Sequence, residues 1–219
     1  MMNWGPMTRD PQWSDMEWQI RRWEFFTWLS GDFLVEQHVH NLDLINWVLK
    51  AHPVQCTILG GRQARTDPMY GDVYDHFAGE FEYPDGVRID YSGAQIDRIS
   101  GRCDQRIFGT KGTAFFDFGR AVIEGQNPYE YKGEIPDPCL QQHADQIDAI
   151  RNGKHLNEGV RIAESTLTAI MGRMSAYTGK SLKWDWVMKA SKLELTPPAY
   201  DFISLPEPVV AVPGVTPLV

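Results

Sequence analysis

Residues 34–51 read LVEQHVHNLDLINWVLKA. Val35, Val39, Leu42, Ile45 and Leu49 recur at helical intervals and make one apolar stripe. Glu36, His40, Asp43 and Trp47 recur at the same intervals on the adjacent stripe. The spacing predicts one amphipathic helix that stops before Pro53, which cannot continue it. Residues three and four apart are neighbours on a helix, so two carboxylates flank one imidazole. A carboxylate beside a histidine orients and tunes a proton-transfer group. The same spacing also fits a solvated polar edge with no chemical role.

Upstream, Ser14 is a predicted N-cap, with Glu17 three residues later completing a capping box. Asp15 to Leu29 is a predicted helix, with Trp18, Arg22, Phe25, Phe26 and Leu29 on one side, ended by Ser30-Gly31-Asp32. Downstream the period changes to two. Val54–Leu59, Asp75–Tyr83 and Val87–Tyr91 read as strands, with Pro84-Asp85-Gly86 as a hairpin turn. Arg102–Phe108, Ala114–Phe118 and Ala121–Glu124 follow, the first pair joined by the turn Gly109–Thr113. Cys139–Arg151 and Glu158–Thr178 read as helices. The second carries Val160, Ala163, Leu167, Ile170, Met171 and Met174 on a core-type face. Trp184–Ala190 is a further short turn. The expected fold class is α+β: a mostly antiparallel, mixed open sheet with helices packed on one face. Three segments are expected: an irregular N-terminal segment at 1–14, the α+β domain at 15–190, and a Pro-rich extended arm at 191–219.

Across the 219 residues, 29 acidic side chains outweigh 21 basic ones, for a net charge of -8. Such a surface repels nucleic acid and anionic membranes. Cys56, Cys103 and Cys139 are odd in number and form no C-x-x-C, so they read as reduced thiols. There is no apolar signal region at the start and no run near the roughly 18 apolar residues of a membrane span. A cytoplasmic location is expected, although a targeting signal could lie elsewhere if the chain is part of a longer one.

Other polar candidates sit where strands begin and end. Arg62 and Arg65 lie in the loop after the first strand, near Asp67 and Tyr70. Tyr74, Asp75 and His76 open the second strand. Solvated loop residues would look the same. The expectation is one concave site in which Glu36 and His40 meet at least one of Arg62, Arg65, Tyr74, Asp75 and His76. His38 and His40 point roughly 200° apart on a helix and cannot chelate one ion together. No convergent metal set is read, and no G-x-S-x-G elbow is present. No G-x-G-x-x-G follows a strand and opens a helix, so no dinucleotide cradle is expected here. Phe77, Phe81 and Tyr83, with Phe115, Phe116 and Phe118, are expected to leave some rings on the open sheet face and drive self-association.

The stretch GDFLVEQHVHNLDLINWVL resembles the segment that opens the C-terminal domain of the Gfo/Idh/MocA oxidoreductases. The resemblance runs from about Trp13 to Trp186. In that family an NAD(P)-binding Rossmann domain is paired with an α/β substrate domain. The resemblance implies that Glu36 takes the place of an acidic residue, usually Asp, that holds a sugar or cyclitol. It implies that His40 handles the substrate proton and that Asp43 is the following Asp. His38 stands where many members have a small residue. The family's Lys, from a Glu-Lys-Pro run, has no counterpart. The resemblance therefore implies a substrate-binding and oligomerisation domain, inactive alone, whose complete enzyme uses NAD(P) held by a missing or separate Rossmann domain. The other reading is a non-enzymatic binding or assembly module that uses the open sheet face.

Overall fold

The computed structural model describes residues 4–117 and 119–219. The chain forms two compact units, one of residues up to 98 together with 161–219, the other of residues 99–160.

The first unit opens with α1, Asp15–Arg21, capped as the sequence predicts: Ser14 Oγ accepts from Glu17 N at 3.1 Å. The helix expected to run on to Leu29 instead breaks. A 3-10 turn spans Trp23–Phe25, and α2 is only Thr27–Ser30. The break has a tertiary cause. Asp72 Oδ1 accepts from Thr27 N at 2.8 Å and so caps α2 from another part of the chain. Two further helical pieces follow: α3, Phe33–Glu36, and α4, Val39–Leu49. The single helix expected over 34–51 is thus interrupted at Gln37 and His38. Phe33 O accepts from both Gln37 N (3.1 Å) and His38 N (3.0 Å), the second a bond to the fifth residue along. That is one wide, π-type turn, a feature common at functional sites. It shifts the phase of α4 relative to α3.

The strands β1 (Gln55–Gly61), β2 (His76–Glu82) and β3 (Arg88–Ala94) pair antiparallel in the order of the chain. Ile58 faces Gly79, and Phe81 faces Ile89. Phe77, Phe81 and Tyr83 have the same parity, so all three point to the helices and are buried. The expectation that some of these three rings lie on the open face is therefore corrected. The outward positions instead carry Leu59, Ala78, Glu80, Asp90 and Ser92.

In the second unit, β4 (Gln105–Gly109), β5 (Gly112–Phe116), β6 (Ala121–Gly125) and β7 (Tyr129–Glu130) form a separate antiparallel meander. Phe118 lies outside the described residues. α5, Pro138–Arg151, starts at Asp137, whose carboxylate accepts from Cys139 N and Leu140 N. Among the described residues there are thus two four-stranded sheets rather than one, because the chain leaves the first sheet after Ala94.

Helix α6, Gly159–Thr178, returns to the first unit. Met171 and Met174 are buried as expected, but Val160 and Ala163 are exposed. The buried side is instead lined with small residues, including Ser165, Ala169, Gly172 and Ala176. The close approach explains this: a Cβ on Gly172 would sit 2.8 Å from Phe81 Cζ and 3.1 Å from Leu34 Cδ2. Fully burying an aromatic or aliphatic side chain such as Phe81 or Leu34 contributes about 1.5–3 kcal/mol. β8, Leu182–Lys183, then adds to the free edge of β1, and α7 is Trp184–Ala190. The Pro-rich arm lies along its own unit. Ile203 O accepts from Met16 N at 3.1 Å, and Ala211 O accepts from Tyr74 Oη at 2.9 Å. No helix among the described residues is long and apolar enough to cross a membrane.

Candidate functional site

Glu36, at the end of α3, lines a narrow cleft with Glu24, Arg65, Tyr74 and Gln95; Phe25, Phe33 and Tyr70 are among its aromatic walls. Burial pushes the Glu36 carboxyl up to about 7. Gln37 works against this, and the nearby Glu24 charge reinforces it. Glu24 is itself buried, 3.4 Å from Arg22 Nε. Arg65 is buried under its loop, reaches Asp97 at 3.2 Å and lies 5.1 Å from the Tyr70 ring centroid.

The eight candidate residues divide by what holds them. Glu36, Arg65 and Tyr74 share the cleft. His40 has an exposed side chain and does not line the cleft, because the wide turn at Gln37 and His38 takes it out of phase with Glu36. Asp43 accepts from Arg161 Nη1 at 2.6 and 2.8 Å and from Ser165 Oγ at 2.7 Å. Arg62 staples its own loop, donating to the carbonyls of Arg65, Gly71 and Asp67. Asp75 is fully buried, and its Oδ2 accepts from the backbone N of Gln63, Ala64 and Arg65 at 2.8, 2.6 and 2.9 Å. Burial tends to raise its pKa, but these bonds and the His76 contact outweigh that and hold it below the usual carboxylate range. Asp75 Oδ1 meets His76 Nδ1 at 2.7 Å, and the His76 ring is partly exposed. Asp75 thus fixes the loop that carries Arg65 to the cleft.

Sequence reasoning missed the residues behind the cleft. His38, not His40, is the interior imidazole. It is 6 % exposed, its Nδ1 is 2.5 Å from Tyr91 Oη, and burial pushes its pKa down to about 4. Gly93 makes room for it, since a Cβ there would lie 2.3 Å from His38 Cε1. Gln37 Nε2 donates to Glu36 at 2.8 Å, and Gln95 Nε2 donates to Gln37 Oε1 at 3.1 Å.

Asp32 is 0 % exposed, with φ 74, a conformation uncommon outside glycine. Its carboxyl accepts from Phe33 N at 2.6 Å, Tyr74 N at 2.8 Å and Tyr177 Oη at 2.6 Å. It therefore ties the start of α3 to the Tyr74 wall and to α6. Burial raises its pKa to about 7 against the pull of those donors and of Arg173. Only one hint of Asp32 was visible in the sequence, its place in the turn Ser30-Gly31-Asp32.

Residues 8–115, which carry both the broken helix and the cleft loop, match the family model for the GFO/IDH/MocA C-terminal domain. The chain carries a GFO/IDH/MocA C-terminal domain. Solved structures share its fold. An aldose-aldose oxidoreductase from Caulobacter crescentus, complexed with glycerol, superposes with TM-score 0.61 at 18% identity, over 80% of this chain and 52% of that one. A myo-inositol 2-dehydrogenase from Lactobacillus plantarum gives 0.53 at 19% identity, over 70% and 49%. An oxidoreductase from Agrobacterium radiobacter, in complex with NAD+, L-tartaric acid and magnesium, gives 0.52 at 15%, over 67% and 47%. The chain spans about half the length of these proteins. No curated protein matches it by sequence.

The strand–turn–helix cradle of a Rossmann unit does not occur among the described residues. Among the described residues every strand pairing is antiparallel, and no strand leads through a Gly-rich turn into a helix. The backbone cradle and helix N-terminus that hold a pyrophosphate are therefore not built from these residues. No group of three or more His, Cys, Asp or Glu among the described residues is placed to hold a metal ion.

Proposed function

We propose that this domain is the substrate-binding half of an oxidoreductase that oxidises a secondary alcohol of a sugar or cyclitol. The observation that carries the reading is the cleft itself. It sets the half-buried Glu36 against Arg65, Gln95 and aromatic walls, a mix of few polar groups and apolar surface that suits recognition of a hydroxyl, in a space of about 10 Å³ that admits one hydroxyl or water rather than a whole ring. Glu36 hydrogen-bonds a substrate hydroxyl, and with a pKa near 7 it can accept or donate. Arg65 and Tyr74 bound the site, while Asp43, Arg62, Asp75 and His76 hold or border the elements around it. The complete enzyme uses NAD(P) on a Rossmann domain outside this chain, so hydride transfer is not performed here. No disulfide joins Cys56, Cys103 and Cys139, which is in keeping with a cytoplasmic setting.

Titrating the 219-residue chain with myo-inositol and with aldoses, followed by NMR, tests this. Shifts should appear at the cleft residues, and be lost in Glu36→Gln. Saturating sugar that moves none of them overturns the reading. The isolated chain should make no NADH from any of these sugars; steady NADH production would overturn the division of labour.

A second reading, self-association through the outward face of the first sheet, draws on Leu59. This side chain is 63% exposed and lies opposite Ala78, which in turn lies opposite Ser92. Sedimentation should give a homo-oligomer that Leu59→Arg dissociates; a wild-type monomer at tens of micromolar would remove it.

A further inference from the structure

The wide turn between α3 and α4 turns two consecutive polar side chains, Gln37 and His38, into the interior, and both are buried. Buried polar groups persist where hydrogen bonds satisfy them. His38 has Tyr91. Gln37 stands between two partners in series: its Nε2 donates to Glu36 Oε1 at 2.8 Å, and its Oε1 accepts from Gln95 Nε2 at 3.1 Å. Gln95 is 7% exposed, and its own backbone N donates to Asp75 O at 2.8 Å, at the root of the Arg65 loop.

A carboxamide has two faces of opposite character, acceptor and donor. Left to itself, Gln37 could present either to Glu36. An oxygen facing the ionised carboxylate would repel it, and an N–H attracts it. The choice is made by whichever partner claims the far end of the amide. Gln95 claims the oxygen.

We propose that Gln95 is a positioning residue: by donating to Gln37 Oε1 it holds the Gln37 N–H on Glu36 and so fixes how that carboxyl is presented in the cleft. This rests on the reading of Glu36 as the group that meets substrate. Gln95 acts through Gln37, and the effect of the two is not additive. Removing either frees Glu36 from an oriented donor that favours its charged form. The relay also links the carboxyl to the Asp75-anchored loop, so the two sides of the cleft are set by one hydrogen-bonded chain.

The test uses the 219-residue chain with side-chain 13C-labelled glutamate, and follows the Glu36 carboxyl by NMR against pH. In wild type Glu36 should titrate near 7. Gln95→Leu should move the midpoint up by about half a unit to one unit, as expected for loss of one oriented hydrogen bond to the charged form. Gln37→Leu should move it at least as far, and the double variant no further than Gln37→Leu alone. Gln95→Met, which cannot donate and adds no charge, serves if Gln95→Leu does not fold, and should shift the midpoint the same way. A Glu36 midpoint unmoved by the Gln95 variants, or additive shifts in the double variant, overturns the proposal. A variant that merely loosened the fold would let water reach Glu36 and move its midpoint down towards the ordinary carboxylate range, opposite to the shift expected here. Sugar binding is scored separately. An intact relay with no sugar response would sink the substrate reading alone, and sugar binding with an indifferent Gln95 would sink the relay alone.

Discussion

Replacing Asp32 offers the sharpest test of how the cleft is held. Its carboxyl is the common acceptor for Phe33 N, Tyr74 N and Tyr177 Oη. Each buried donor stripped of its acceptor costs about 1–3 kcal/mol. Tyr177 Oη keeps Thr27 Oγ1 at 3.1 Å, so its share is at the low end. An alanine at φ 74 adds roughly 1 kcal/mol of backbone strain. Against this stands the cost of burying a charge. The native carboxyl is raised to about 7 from 3.8. The native state therefore holds a proton that the unfolded chain gives up above about pH 4. The stability contributed by Asp32 is full below that pH and is lost as pH rises towards 7. At pH 5 Asp32→Ala should cost about 3 kcal/mol and Asp32→Asn about 1 kcal/mol; asparagine keeps one acceptor oxygen and tolerates positive φ, but loses the cap on α3. By pH 8 both losses should shrink by about 2–3 kcal/mol, leaving the asparagine variant about 1–2 kcal/mol more stable than wild type. Urea unfolding at the two pH values, followed by tryptophan fluorescence, measures this. A loss that grows from pH 5 to pH 8 would refute the reasoning. It would mean that the nearby Arg173 charge outweighs desolvation and that Asp32 is held ionised.

Gly172→Ala should lower the melting temperature, by the equivalent of about 1–2 kcal/mol, although alanine ordinarily favours a helix by about 1 kcal/mol over glycine; a rise would show that Phe81 can yield the 2.8 Å separation. Asp75→Asn should strip amide-exchange protection from residues 63–65 while leaving β1 protected. Because the native Asp75 pKa lies below its ordinary value, wild type should lose the same protection as the pH falls through and below the usual carboxylate range. Glu36→Gln should be at least as stable as wild type at pH 8, since Glu36 is also raised to about 7 and its ionised form is the disfavoured one. Chemical denaturation at pH 5 and pH 8 decides this, with a larger loss at pH 8 counting against it.

Periodicity alone placed most elements. The switch from the helical period to alternation after Pro53 announced an α+β chain. The Ser14 cap and the Pro84-Asp85-Gly86 turn were legible because they are local hydrogen-bond and backbone preferences. The stretch around Glu36 also carried the family resemblance in its residue order. What only the tertiary structure decided came from contacts distant in sequence. Asp72 splits the first helix by capping Thr27, 45 residues away. The turn at Gln37 and His38 is held open by partners on β3 and just beyond it, Tyr91 and Gln95, and a helical pattern read at constant pitch cannot register an added residue. The parity of Phe77, Phe81 and Tyr83 was written in the sequence, but which face it named depended on where α6 packs, and that rests on the absence of a Cβ at Gly172. The carboxyl at Asp32 had no local sign of its role, because burial, which raises its pKa and makes it the tie between three elements, is a property of the assembled core.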